Sequence, residues 1–313
     1  MPHTYPVHPD YARSPVFNLR FDRFTIGLVN TLMKVHRRFA LGKPPQGLSR
    51  ETVRLESTTA GTTQALLLRP ADLPAGAPVL VYFHGGAFAM TYGALHIHMC
   101  QRYALAAQCL VLFVDYRLAP RNPWPAGFDD CYDSLLWVLQ RAAELGVDAS
   151  RIVVGGDSAG GALAAGVAQK ACDNGIALAG QMLLYPVLDS HCETASAREF
   201  DDTPIWNGVS NRRMWRAYLG TGDPLRPPPY AAPGLRQDLD SLPPAYVETA
   251  EFDPLRDEGA DYAQRLATAG VPLQLNATSG TIHGYDFAQD NPLVLQALQQ
   301  RTAFLHSCFT AAA

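Results

Sequence analysis

Arg151-Ile152-Val153-Val154-Gly155-Gly156-Asp157-Ser158-Ala159-Gly160-Gly161-Ala162-Leu163 is the most informative stretch of the chain. A strand-sized apolar run leads straight into G-D-S-A-G, and small residues at helical spacing follow. That order is the strand–turn–helix setting of a nucleophile elbow, in which a sharp turn lifts a serine above a parallel sheet. Gly156 and Gly160 leave room for backbone to pass close to the turn. Ser158 is then expected at the tip, at the positive end of a helix starting near Ala159. The plain alternative is a tight β–α turn whose serine only caps a helix, and the flanking strand and helix count against it. A nucleotide loop fails on spacing. Gly155, Gly156, Gly160 and Gly161 do not fit G-x-G-x-x-G, and no Gly-Lys-Ser/Thr follows.

Outward from this turn, short apolar runs alternate with longer helical patterns, as in strands joined by helical crossovers. The runs predict strands at 53–57, 64–69, 79–83, 110–114, 151–155, 180–185, 245–250 and 272–278. The run at 79–83 has no polar alternation and should be buried on both faces, whereas 53–57 and 64–69 alternate and suit an antiparallel edge. Helical periodicity covers 96–108, 128–145, 159–173, 258–269 and 292–309. The fold class expected is α/β, a mostly parallel doubly wound sheet. Two stretches break the rhythm. Residues 1–48 carry a helical pattern at 24–39 and a stop at Gly42-Lys43-Pro44-Pro45. Residues 190–230 hold Trp206, Trp215 and Tyr218 and end in Pro227-Pro228-Pro229. An aromatic insertion on the carboxyl side of a parallel sheet lies where such folds bind ligands; a surface excursion packed on itself reads equally well.

The 313 residues are 48 % hydrophobic and 17 % charged, which excludes a disordered chain. With 25 basic against 29 acidic side chains, the net charge of −4 offers no footprint for nucleic acid or an anionic membrane. The apolar runs are strand-sized, so no membrane insertion is expected. The first residues lack the basic head and apolar stretch of a secretory signal. Six cysteines without a C-x-x-C pattern suit free thiols in a reducing compartment, and the location expected is the cytoplasm.

A serine hydroxyl needs a base and an orienting acid, which in this fold follow in the order Ser, acid, His. The downstream histidines are His191, His283 and His306. His283 follows a predicted strand in the loop 279–284 and can reach a serine at another strand's end; His191 falls in the insertion and His306 in the last helix. For the acid, Asp253 follows the strand 245–250, and Pro254 keeps it out of helical backbone. It is favoured over Asp189, read as structural, and over Asp257 and Glu258, read as first-turn helix residues with Asp257 a candidate cap. Oxyanion donors are expected from Ala159 and from His84-Gly85-Gly86-Ala87-Phe88, where glycines bring bare amides toward substrate.

These residues resemble the hormone-sensitive lipase family of esterases and lipases. The likeness rests on His84-Gly85-Gly86-Ala87, Gly156-Asp157-Ser158-Ala159-Gly160, Asp253-Pro254-Leu255-Arg256-Asp257-Glu258 and His283-Gly284. It rests also on Asp115-Tyr116-Arg117-Leu118-Ala119-Pro120 and Leu184-Tyr185-Pro186-Val187-Leu188-Asp189. It spans residues 50–310 in order. The resemblance implies an α/β-hydrolase core (49–189 and 231–313) under a helical cap (1–48 and 190–230). It implies hydrolysis of small-molecule carboxylic esters through an acyl-serine, with no metal or organic cofactor. Ser158 would be nucleophile, His283 base and then acid, and Asp253 its partner. Gly86, Ala87 and Ala159 would supply oxyanion amides, with Gly85 shaping the turn. Ala87 stands where H-G-G-G is commoner, and its Cβ would narrow the backbone angles or trim the acyl pocket. Relatives include dimers joined through the sheet edge or last helix, so a homodimer stays open.

Two other classes compete. Receptor-like relatives have lost the catalytic histidine, and His283 counts against that reading. His96-Ile97-His98 has the form of a metal-ligand pair, but on a helix the two side chains point to different faces. Lactone, thioester and activated-amide cleavage are not separated from ester cleavage. Phe17, Phe21, Trp206, Trp215 and Tyr218 are expected to wall a small apolar pocket for short or medium acyl chains.

Overall fold

The computed structural model describes residues 5–56 and 62–310 of the chain. The elements follow in the order α1 (Arg23–Ala40), β1 (Leu48–Glu56), β2 (Thr62–Pro70), β3 (Ala77–Phe83), α2 (Ala94–Ala107), β4 (Leu110–Asp115), α3 (Ala126–Gln140) and α4 (Ala142–Leu145). Then come β5 (Val147–Asp157), α5 (Ala159–Asp173), β6 (Gly180–Leu184), α6 (Ala195–Glu199), α7 (Gly208–Leu219), β7 (Ala245–Phe252), α8 (Arg256–Thr268), β8 (Leu273–Ile282) and α9 (Pro292–Thr310). Among the described residues one eight-stranded sheet has the order β1-β2-β4-β3-β5-β6-β7-β8. β1, β2 and β4 pair antiparallel, and from β4 through β8 every neighbouring pair is parallel.

The composition of the strands explains this placement. β3 is buried at every position, as an apolar run without polar alternation requires in the middle of a parallel sheet. β1 is buried only at Leu48 and Leu55 and takes the edge. After β3 the chain steps to one side for β4 and to the other for β5, so the strand order reverses beside β3. Crevices at the carboxyl ends of such a reversal are where open α/β sheets bind ligands. The G-D-S-A-G turn and the His84-Gly85-Gly86 loop both lie there, after β5 and β3.

Several boundaries differ from expectation. β7 and β8 run on to Phe252 and Ile282, so Asp253 and His283 leave the strand ends directly rather than from a loop. The pattern at 128–145 is two helices, broken at Arg141. The insertion contains α6 and α7, which apolar periodicity did not reveal; Thr194 and Asn207 cap them by accepting from Ala197 N–H and Ser210 N–H. Ser57, expected at the end of the first strand, lies outside the described residues. The N-terminal stretch and the insertion are joined: Asn207 and Ser210 both donate to the Phe17 carbonyl, and Ile205 N–H donates to Pro15. No helix among the described residues is long and apolar enough to cross a membrane.

Candidate active site

The turn after β5 is tight because its backbone cannot be otherwise. Ser158 sits at φ 55°, a left-handed conformation that costs a non-glycine residue on the order of 1–3 kcal/mol. It is held by its own N–H to Leu184 O (2.8 Å) and by Val187 N–H to its carbonyl (3.2 Å). A Cβ on Gly160 would collide with the Phe83 carbonyl, and one on Gly156 with the backbone of Gly160. The two glycines let the elbow settle against β3.

His283 Nε2 lies 2.8 Å from Ser158 Oγ, and His283 Nδ1 lies 2.7 Å from Asp253 Oδ2. With the proton on Nδ1, the ring donates to Asp253 and accepts the Ser158 hydroxyl, the tautomer a general base requires. Asp253 is wholly buried, and its other oxygen accepts Leu255 N–H at 2.9 Å. Tyr185 meets the His283 ring edge-on at 5.1 Å, and Trp206 lies 5.9 Å away. His191 and His306 are elsewhere, directed at the carbonyls of Leu225 and Ala106.

The loop after β3 lines the same cavity as Ser158 and has an unusual backbone. Gly86, Ala87 and Phe88 have φ of 124°, 56° and 56°. A Cβ on Gly86 would come within 2.5 Å of Met90 O, so only glycine fits there. Ala87 bears the strain of the left-handed region, and the residue lines the cavity. Tyr218 stacks on Phe88 at 3.7 Å and braces the loop from behind. His84 is buried between Tyr116 (4.4 Å) and Phe113 (5.7 Å). Burial lowers its imidazole to about 3, so it is neutral and its Nδ1–H serves the Gly85 carbonyl at 2.6 Å.

Asp157 was quoted only as part of the motif, yet it links the two loops. Its carboxylate accepts Tyr82 O–H (2.9 Å) and the Gly85 amide, and stands 3.5 Å from His96 Nε2. Burial pushes this carboxyl up, but the imidazole, hydroxyl and amide overrule it and hold it at about 2. The Gly85 amide is therefore directed at Asp157. His96 is lowered by burial and raised further by Asp157, with a net rise above its ordinary value. Among the described residues no group of three or more His, Cys, Asp or Glu could hold a metal ion.

This pair has a defined pH window. Asp157, depressed, stabilises the fold above its unfolded value near 3.9 and stops doing so as pH falls through about 2. His96, raised, stabilises fully below its unfolded value near 6.5, and the effect fades as pH rises through its folded value. The melting temperature of the wild type should exceed that of His96→Gln most between about pH 4 and 6.5, and the gap should close in alkali. A gap that widens with rising pH would contradict the ion pair.

A cavity of about 550 Å³ opens onto Ser158, His283, Gly86 and Ala87. Its walls are largely apolar and include Phe17, Leu19, Met99, Ile205 and Trp206. Phe17 and Trp206 thus face the cavity as expected. Phe21, Trp215 and Tyr218 do not: Phe21 packs edge-on against Trp206, and Trp215 lies with Tyr218 behind Phe88. The cavity is mid-sized rather than small, and three of the five expected wall residues pack behind it.

Asp257 and Glu258 stand in the first turn of α8, as expected. α8 is preceded by Leu255, so Asp257 is not its cap; it accepts Ser196 N–H instead. Glu258 is buried, accepts Leu188 N–H and Asp189 N–H, and burial pushes its carboxyl well above the usual range. Asp189 accepts His191 N–H, a structural role as read. All six cysteines are free.

The chain is similar to known proteins over most of its length. A family profile described as alpha/beta hydrolase fold matches residues 80–287. The carboxylesterase NlhH of Mycobacterium tuberculosis is 38 % identical over 314 residues, covering 96 % of this chain and 98 % of that one. The esterase LipI of the same organism is 42 % identical over 212 residues, 67 % of this chain and 66 % of that protein. The crystal structure of the esterase LipW from Mycobacterium marinum superposes with a TM-score of 0.91 at 34 % identity, covering 97 % and 96 % of the two chains.

Proposed function

The chain belongs to the hormone-sensitive-lipase-like family of α/β-hydrolase carboxylesterases, and we propose that it cleaves short- to medium-chain esters through an acyl-serine at Ser158. The observation that carries this reading is the unbroken hydrogen-bond chain Asp253–His283–Ser158 at the end of an apolar cavity. In the first half-reaction His283 Nε2 takes the Ser158 proton as Oγ bonds to the ester carbonyl carbon. The oxyanion accepts from Gly86, Ala87 and Ala159 N–H, and Asp253 steadies the imidazolium. The C–O bond to the alcohol breaks as His283 returns the proton to the leaving oxygen. Water then repeats the sequence on the acyl-enzyme, releasing the acid and restoring Ser158.

Residues 1–48 and 190–230 act as the cap in this reading, since Phe17 and Trp206 from the two stretches wall the same cavity. The cavity volume lies mid-range for small-ligand sites, and its walls favour hydrocarbon. Each methylene buried there adds roughly 0.8 kcal/mol, about fourfold in kcat/KM, until the acyl chain outgrows the space. A p-nitrophenyl ester series should therefore climb from acetate, peak at or before about eight carbons and then fall, with turnover unchanged by prolonged chelation. A maximum on long acyl chains would overturn the chain-length assignment. Loss of activity on chelation would overturn the mechanism.

A further inference from the structure

Helix α1 has two apolar faces, and the fold uses one. Ile26, Val29 and Met33 turn toward the protein, and Val29 lines the cavity. Asn30 bonds to Ala89 O and Thr91 N–H, and the Arg37 guanidinium lies 3.7 Å over the Tyr92 ring. The other face carries Phe24, Leu28, Leu32, Val35 and Phe39, which are 82 %, 53 %, 61 %, 52 % and 81 % exposed. At 3.6 residues per turn these five fall within an arc of about 80°, a continuous stripe rather than scattered apolar residues. Nothing among the described residues covers it.

Charge is concentrated on the same segment. Residues 11–50 hold eight of the chain's 25 Lys and Arg but one of its 29 Asp and Glu, Asp22. The net charge of −4 therefore conceals a strongly basic N-terminal stretch on an otherwise acidic protein. Arg23, Lys34, Arg38 and Lys43 are exposed, and the helix period puts Lys34 and Arg38 along one border of the stripe. An apolar stripe with basic flanks and modest overall hydrophobicity is the pattern of a helix lying in a membrane interface.

We propose that α1 is an interfacial helix that docks this protein on an anionic lipid surface. Phe24, Leu28, Leu32, Val35 and Phe39 enter the headgroup–acyl boundary, and Lys34 and Arg38 meet lipid phosphates. Val29, on the flank of the helix about 60° beyond Leu32, joins the docked face to the cavity wall, so esters dissolved in lipid reach the cavity beside the helix. The docking itself does not depend on the assignment of Ser158.

The test is flotation of the full chain with unilamellar vesicles of phosphatidylcholine, alone or rich in phosphatidylglycerol. The wild type is expected to float with the anionic vesicles at low salt, to be released by high salt, and to bind phosphatidylcholine at least about tenfold less. Lys34→Glu/Arg38→Glu and Leu28→Glu/Leu32→Glu should each lose about tenfold or more in partition, with circular dichroism and p-nitrophenyl acetate turnover unchanged. A wild type that stays in solution with anionic vesicles at low salt overturns the proposal, as does equal binding by both variants. A wild-type dimer that Leu28→Glu/Leu32→Glu converts to monomer, without vesicle binding, assigns the stripe to a second copy. Vesicle binding by a protein without esterase activity would sink the catalytic reading and leave this one standing.

Discussion

Replacing Ser158 by alanine is expected to lower kcat on p-nitrophenyl butyrate by about 10⁴-fold or more in a protein that stays folded. The magnitude follows from the role proposed: without Oγ no acyl-enzyme forms, and only the oxyanion amides and substrate binding remain. The fold should tolerate the change. The elbow is set by Gly156 and Gly160 against β3 and by the Ser158 backbone bonds, none of which involve the hydroxyl. His283→Ala should cost nearly as much, and the double variant scarcely more than either, because the parts act as one unit. Near-ultraviolet circular dichroism checks the fold, and turnover with an active-site titre checks the loss. Losses that add across the double variant would mean that the two residues act separately.

The second large effect is on stability. Arg301, on α9, is fully buried and pairs with two carboxylates, Glu248 on β7 and Asp286 after β8. Tyr246 and Tyr285 also donate to Glu248, and Tyr185 donates to Asp286 at 2.7 Å. Burial raises Glu248, but Arg301 and the hydroxyls overrule it and leave it below the ordinary value; Asp286 stays above its own, burial prevailing over Arg301. Arg301→Met would strand both carboxylates in the interior at a cost of about 3–5 kcal/mol in urea unfolding at pH 7. Both folded values would then lie above the unfolded ones, near 3.9 and 4.3. A native state holding extra protons loses stability as pH rises, so the penalty should be smaller at pH 5 than at pH 7. A loss under about 1 kcal/mol, or one that grows in acid, would mean that the cluster relaxes or is hydrated. Because Asp286 holds Tyr185 beside His283, some loss of turnover should accompany the change.

What could be read from the sequence was local. The strand at 79–83 announces its burial by composition, and Ser158, Asp253 and His283 each follow a predicted strand within about five residues of its end. The sheet then brings together three strand ends that share no sequence pattern with one another. Contacts made across the fold were not legible in the same way. Asp157 reads as an ordinary motif residue until Tyr82, Gly85 and His96 are seen around it, from three different elements. Glu258 reads as a helix-dipole residue, yet its carboxylate faces the amides after β6. Arg301 reads as one polar position in a helical period and is instead the charge at the centre of α9's packing. The aromatic insertion misled in the same sense. Apolar character marks Trp206, Trp215 and Tyr218 as buried, but not whether they face a ligand or support a loop. The basic N-terminal stretch was hidden by averaging charge over the whole chain.

Covalent capture of the nucleophile tests the account most directly. Wild-type protein treated with diethyl p-nitrophenyl phosphate should lose activity in step with release of p-nitrophenol. Peptide mass mapping should then find one diethylphosphoryl group per chain, on Ser158. Complete inactivation with the phosphoryl group on another residue, or full activity with Ser158 modified, would contradict the account.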